Sequence, residues 1–438
     1  MRKTTATTTT MRTRMRPAAS DTLCPKVPGF LASRLAAEGF GSLLRGIDSK
    51  QVPYPLLDAD PAEPQTCWAT FLWVEDRPSN PASAVILSAN AMVGQDQLER
   101  CEYEQVAEGL WAITLRVPSD WIASYRLSVH RGAGPAPWRA TTDRRAIRLA
   151  ADAGGIDRLN PAVGASMNGV PVSLVYGPAA AVEPRLAAAT PVLDRPGPAI
   201  GGWGEADTTE APLPERVDAH EVFDGNCGRM RRLWTYRPPV PARNTPLLVV
   251  HDGATWVRFQ SIAASLDAAI ESGLLPPLHA LFVDSTNVSL RSAELPDAQG
   301  TTRSLAEQFL PWARELLPVS AAATQTVVTG SSFGGLAALL AVAHHPELVA
   351  VALAQSPSLW HTDLSGELAS LDPRARVLLQ AGRYETGIHR ACAQAMDEVA
   401  GTQAAPRIGF QPISGGHDWA WWSAQLLPGL ARMLNPQE

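Results

Sequence analysis

Residues 325–344 run from an apolar, strand-like stretch, Gln325-Thr326-Val327-Val328-Thr329, through Gly330-Ser331-Ser332-Phe333-Gly334-Gly335 into a helix-like stretch ending near His344. A serine set between a strand and a helix needs a sharp turn with strained backbone angles. A Cβ on either flanking residue crowds that turn. Gly330 and Gly334 meet the requirement, so the G-x-S-x-G pattern predicts a nucleophile elbow that lifts Ser332 above the edge of a sheet. A Gly/Ser loop closing a structural strand is the plainer reading; the strand before and the helix after favour the elbow.

The surrounding pattern supplies the sheet. Apolar strand-like runs fall at 246–251, 280–283, 325–329, 350–354, 376–379 and 408–412, after a strand at 232–237. Helical periodicity separates them at 257–274, 304–317, 333–344 and 387–399, and 419–434 closes the chain as a helix. This alternation predicts an α/β-hydrolase domain over 216–438, with a mostly parallel sheet covered by helices on both faces. Short β runs at 67–74, 84–88, 110–117 and 124–129 predict an all-β, Ig-like sandwich within 21–182, with helical character at 29–41. Trp68, Trp73, Trp111, Trp121 and Tyr125 are its expected aromatic core. Between the domains, 183–215 holds Pro184, Pro191, Pro196, Pro198, Pro212 and Pro214 and reads as a stiff linker. Residues 1–20 read as a disordered basic, Thr-rich tail.

Composition excludes several classes. The net charge is −6 and no basic stripe stands out, which argues against a nucleic-acid partner. The longest apolar run, about 336–343, is too short to span a bilayer. The five cysteines (Cys24, Cys67, Cys101, Cys227 and Cys392) are scattered and form no CxxC pair, so neither a disulfide scaffold nor a structural zinc site is expected. No apolar leader segment precedes the sandwich, and a cytoplasmic location is expected. Only Lys3, Lys26 and Lys50 are lysines among 37 basic residues, so anions will be met by guanidinium groups.

An elbow serine needs an acid and a histidine after it in the chain. His417, in Ser414-Gly415-Gly416-His417-Asp418, lies between the last strand and the last helix and is the expected base. His361 is its rival, on a loop after a strand. Glu385, on the loop after 376–380, is the expected orienter of His417; Asp363 and an acid-free Ser–His dyad are the alternatives. Asp418 is expected to cap the final helix. The oxyanion donors are expected at the N–H of Phe333 and at Gly253 or Ala254, after the strand 246–251.

In these motifs the chain resembles the enterochelin (ferric enterobactin) esterase family, whose catalytic domain is of the esterase D type. The C-terminal resemblance rests on Asp252-Gly253, Arg291-Ser292-Ala293-Glu294-Leu295, the elbow, Ala381-Gly382 with Glu385, and Gly415-Gly416-His417-Asp418 with Trp422. The N-terminal resemblance rests on Cys67-Trp68-Ala69-Thr70-Phe71-Leu72-Trp73, Gly109-Leu110-Trp111, Trp121 with Ser124-Tyr125, and Asp157-Arg158-Leu159-Asn160-Pro161. It implies an esterase that opens the trilactone of a catecholate siderophore such as enterobactin. Ser332 would act as nucleophile, His417 as proton shuttle and Glu385 as orienter. Iron would enter only with the substrate, and no metal or cofactor is expected on the protein. For such an anionic, ring-bearing ligand, Arg291, Arg383, Arg258, Trp256, Trp419 and Trp422 are the expected contacts. Oligomeric state stays open. A feruloyl- or acetyl-type carbohydrate esterase with a sugar-binding sandwich is the alternative, as is a non-catalytic siderophore binder. S-formylglutathione hydrolase shares the catalytic architecture but has no N-terminal domain.

Overall fold

The computed structural model describes residues 39–90, 98–181 and 212–435, together with Cys24, Lys26, Val27, Gly29 and Leu31. The tail at 1–20 and most of the expected linker lie outside the described residues.

The N-terminal part is a sandwich of two four-stranded antiparallel sheets. Its strands are β1 (Leu56–Ala59), β2 (Thr66–Val74), β3 (Ala82–Ala89), β4 (Glu104–Ala107), β5 (Leu110–Pro118), β6 (Ile122–Arg131), β7 (Val163–Ala165) and β8 (Pro171–Tyr176). One sheet runs β1-β2-β5-β4 and the other β3-β6-β8-β7. Alternate residues of β2, β5, β3 and β6, such as Phe71, Ile113, Val85 and Tyr125, point inward and fill the space between the sheets. Trp121, Tyr125 and Trp111 belong to this core, whereas Trp73 packs against its margin and Trp68 is half-buried on the opposite face. Most of the helix expected at 29–41 lies outside the described residues; a helix at Phe40–Asp48 covers that outer face through Leu43 and Ile47. Residues 32–38 lie outside the described residues. Asp157 ties the sandwich together: Tyr54 and Tyr125 donate to its carboxylate at 2.7 and 3.0 Å, and its own N–H donates to Ser173.

The C-terminal part holds an eight-stranded sheet. It adds β9 (Val217–Asp224), β10 (Arg229–Tyr236), β11 (Leu247–His251), β12 (His279–Val283), β13 (Thr326–Ser331), β14 (Val351–Gln355), β15 (Arg376–Gly382) and β16 (Ile408–Ile413). Their order is β16-β15-β14-β13-β11-β12-β10-β9. All neighbours from β16 to β12 are parallel, and β10 and β9 continue the sheet antiparallel. Helices Phe333–His344 and Thr386–Val399 cover one face; Ile262–Glu271 and Trp419–Leu434 cover the other. Every residue from Gly334 to Val342 is buried, as expected of a helix that is apolar all round.

Two expected helices are interrupted. The stretch 257–274 is two helices, Gly253–Phe259 and Ile262–Glu271, broken at Ser261 with φ 49°. The stretch 304–317 opens with a wide turn at Leu305–Phe309 and becomes α-helical at Leu310–Leu316, where Pro311 starts the new helix. The parallel order brings the ends of β11, β13, β14, β15 and β16 to one edge, which is where open α/β sheets place ligands.

Candidate active site

Ser332 has φ 61° and ψ −117°, the strained geometry that the elbow demands. Two glycines make it possible. A Cβ on Gly330 would lie 2.6 Å from the Gly334 backbone, and one on Gly335 would lie 2.7 Å from the Gln355 carbonyl. Gly334, expected to be the second essential glycine, faces only side-chain atoms, the nearest at 3.2 Å. The Ser332 N–H donates to the Gln355 carbonyl at 2.9 Å, pinning the turn to β14. Phe333 opens the following helix, so its N–H has no acceptor within that helix. The Ser332 hydroxyl stands 3.4 Å from that of Ser358, a long contact that holds it weakly.

The structure brings Glu385 and His417 together. Nδ1 of His417 hydrogen-bonds Oε1 of Glu385. The other carboxylate oxygen accepts from the Gly382 N–H at 2.6 Å and from the Ser356 hydroxyl at 2.8 Å. The Trp422 indole donates to that same hydroxyl at 2.9 Å, and its ring stands edge-on to the His417 ring, centroids 4.7 Å apart. Glu385 is thus buried with three donors, while the His417 side chain stays 39% exposed. The competing acid, Asp363, accepts from the N–H and hydroxyl of Ser365 instead. The rival histidine, His361, bonds Thr362 and rests edge-on against Phe333. Asp418 caps the final helix at Ala420, as expected.

Arg291, expected at the cleft, is mostly buried and pairs in bidentate fashion with Asp252, at 2.7 and 2.8 Å, and also donates to the Ser331 carbonyl at 3.1 Å. Burial alone would push the Asp252 carboxyl up, but the guanidinium outweighs it and holds the group below the usual range. Asp252 has φ 61° and starts the helix Gly253–Phe259, whose first N–H groups include the expected oxyanion donors Gly253 and Ala254. Glycine at 253 answers to packing, since a Cβ there would lie 2.9 Å from Phe282 of β12.

The tryptophans also correct the expectation. Trp256 is 1% exposed and packs beneath the site against Trp419, and Trp422 is spent on Ser356 and His417. Arg258 is half-buried by the same helix, whereas Arg383 is exposed beside the Glu385 loop. Sequence reasoning passed over Trp360, which is 60% exposed with its ring 6.0 Å from that of Phe333. Its signal in the sequence is an aromatic residue on the loop after β14, next to His361. A cavity of about 950 Å³ lined by Arg216, Arg237, Arg243, His279 and Glu315 lies at the opposite edge of the sheet and contains none of these groups. Among the described residues no group of three or more His, Cys, Asp or Glu is placed to hold a metal. No helix among them is long and apolar enough to cross a membrane.

A strained serine on an elbow after β13, with a carboxylate–histidine pair after β15 and β16 at the same edge of the sheet, is the arrangement of an α/β-hydrolase ester-hydrolysing site. Residues 226–433 match a family described as putative esterase, and 68–186 match one described as enterochelin esterase, N-terminal. An iron(III) salmochelin esterase of Escherichia coli O6:H1 is 27% identical over 385 residues, covering 82% of this chain and 86% of the relative. An iron(III) enterobactin esterase of the same organism is 27% identical over 346 residues, covering 75% and 80%. The fold is shared with the crystal structure of ferric enterobactin esterase from Salmonella typhimurium, with TM-score 0.71 at 23% identity, covering 87% of this chain and 96% of that one. In both halves the chain is thus similar to enterochelin esterases.

Asp252→Asn tests the ion pair, because asparagine tolerates positive φ but carries no charge. Removing one partner of a buried pair is expected to cost about 3–5 kcal/mol in denaturant unfolding. The carboxyl of Asp252 is depressed in the folded state, so its contribution is present above about pH 4 and is lost as pH falls through the folded value. The variant's stability should therefore fall less steeply than the parent's below pH 4.

Proposed function

We propose that this chain is a cytoplasmic serine esterase that hydrolyses the ester bonds of a ferric catecholate siderophore of the enterobactin trilactone type, so that iron is released. The observation that carries the reading is the Glu385–His417 pair on loops next to the Ser332 elbow, in a chain whose two halves match esterase and enterochelin-esterase N-terminal families.

Glu385 holds the Nδ1 proton of His417, which leaves the Nε2 lone pair as the base. Nε2 takes the Ser332 proton as Oγ attacks the ester carbonyl. The oxyanion is received by the N–H of Phe333 and of Gly253 or Ala254. The C–O bond breaks, and the leaving alkoxide takes the proton from Nε2 and departs as an alcohol. Water then gives a proton to Nε2 and attacks the acyl-enzyme, and the acid leaves as Oγ regains its proton. Iron belongs to the substrate, and the reaction calls for no resident metal or cofactor. Arg383 suits the negative charge of the ferric catecholate, and the exposed face of Trp360 suits a catechol ring.

Ferric enterobactin and a feruloylated sugar, each incubated with the protein and followed by chromatography, test the reading. The siderophore should be hydrolysed, and Ser332→Ala should abolish this while keeping the fold. Turnover surviving in that variant would sink the mechanism; cleavage of the sugar ester alone would sink the substrate; neither cleavage would leave a binding protein. Glu385→Gln should lower kcat by on the order of 10³–10⁴. A loss under tenfold removes Glu385 as orienter. Trp360→Ala should raise KM for the siderophore about two- to tenfold, the worth of one ring contact, and leave a small aliphatic ester unaffected.

A further inference from the structure

His417 sits on a loop, 414–418, that has no regular structure of its own. The hydrolase domain holds the first half of this loop: Tyr384 N–H donates to the Gly415 carbonyl at 3.1 Å, and the Trp421 indole donates to the Gly416 carbonyl at 2.5 Å. The sandwich holds the second half and the loop's first residue, Ser414. Asn90 donates its side-chain amide to the His417 carbonyl at 2.5 Å. Ser124 donates both its N–H, at 2.6 Å, and its hydroxyl, at 2.8 Å, to the carboxylate of Asp418. Just before these, the Ile122 N–H donates to the Ser414 carbonyl at 2.9 Å.

The same domain touches the other side of the site. The Met167 carbonyl accepts from the Thr255 hydroxyl at 3.0 Å, and the Ala165 carbonyl accepts from Gln260 at 2.9 Å. Thr255 lies within the helix Gly253–Phe259, and Gln260 follows it. The sandwich side of these contacts is stiff. Ser124 lies on β6, hydrogen-bonded between β3 and β8 in its sheet, and Ala165 ends β7 of that sheet. Ile122 packs in one apolar cluster with Ile413, Trp421 and Trp422. One rigid body therefore grips the histidine loop and the helix Gly253–Phe259, where the second oxyanion donor is expected.

We infer that the N-terminal sandwich aligns the catalytic groups, with Ser124 and Asn90 as positioning residues that set the His417 ring against the oxyanion donors. This rests on the Ser332–Glu385–His417 reading above. A buried carboxylate such as Asp418 keeps its place only while its donors stay in place. A shift of about 1 Å in a catalytic group costs on the order of 10²-fold in rate. A domain that only walled the cleft would act on substrate affinity; one that sets the histidine acts on turnover.

The full-length variants Ser124→Ala, Ser124→Thr and Asn90→Ala separate the two. Each is assayed on ferric enterobactin and on p-nitrophenyl acetate, which is too small to need a cleft wall, with thermal unfolding followed in parallel. Ser124→Ala and Asn90→Ala should lose about tenfold or more in kcat on the siderophore, with KM within about twofold, and should lose kcat/KM on the small ester in the same proportion. Ser124→Thr, which keeps the hydroxyl, should recover most of the rate. Asn90→Ala leaves Asp418 untouched and reports even where Ser124→Ala folds poorly. A raised KM with unchanged kcat, full activity on the small ester, or equal losses in Ser124→Ala and Ser124→Thr would overturn the inference. Ser332→Ala run alongside tells the failures apart. Activity surviving there removes the triad itself, whereas its loss there with normal kcat in Ser124→Ala and Asn90→Ala removes only the positioning role.

Discussion

The buried pair between Asp252 and Arg291 is the joint on which the catalytic edge depends. It links three elements far apart in sequence: the end of β11, the helix Val288–Glu294 and, through the Ser331 carbonyl, the end of β13. Burying two charges is costly, and only good geometry with further hydrogen bonds offsets the cost. Here the pairing is bidentate, and the Ser285 hydroxyl donates to the carboxylate at 2.8 Å. Neighbouring His251 does not compete for Asp252: burial pushes its ring down to about 4, so it stays neutral at ordinary pH. The result is a fixed offset between the elbow and the start of the helix Gly253–Phe259.

Beneath that edge the sheet carries a row of polar side chains. Ser331, Gln355, Gln380 and Gln411 stand opposite one another on β13, β14, β15 and β16. Each reaches the next, with Ser331 to Gln355 at 3.2 Å and the two following glutamine pairs at 3.0 Å. Gln355 also donates to the Trp422 carbonyl, which fastens the C-terminal helix to the row. None of these groups ionises, so the row settles the strand ends without adding charge near Glu385. A satisfied network of this kind fixes one register, whereas a half-satisfied one would weaken the core.

This division explains how much the chain reveals before folding. The elbow, the parallel strands and the pairing of Glu385 with His417 follow short-range rules of periodicity and motif order, and they were legible. Strands β4 and β9 were not: β9 reads Val-Asp-Ala-His-Glu-Val-Phe-Asp, a mostly polar edge with little to bury. Arg291 was misjudged because its partner Asp252 is 39 residues away, and nothing local to either tells whether a guanidinium faces outward or inward. Trp256 and Trp422 failed for the same reason. Proximity to catalytic residues in sequence does not distinguish a ring that lines a cleft from one that supports it from below. The grip of Ser124 on Asp418 spans 294 positions and two domains, and no local pattern signals it.

The glycines around the histidine show why the two domains act as one site. A Cβ on Gly382 would lie 2.4 Å from the Gly415 carbonyl, so the acid loop and the histidine loop meet backbone against backbone. A Cβ on Gly415 would lie 2.6 Å from the Trp421 ring and 3.0 Å from the Ile122 carbonyl of the sandwich. Gly415 thus answers to close packing among three segments, and mobility is not needed to explain it. Acid loop, histidine loop and β6 form a stack with no room for a side chain between them. Such a stack transmits displacement directly, because close-packed atoms cannot absorb it. The sandwich is then part of the esterase site in the mechanical sense, although the residues proposed for the chemistry all lie in the other domain.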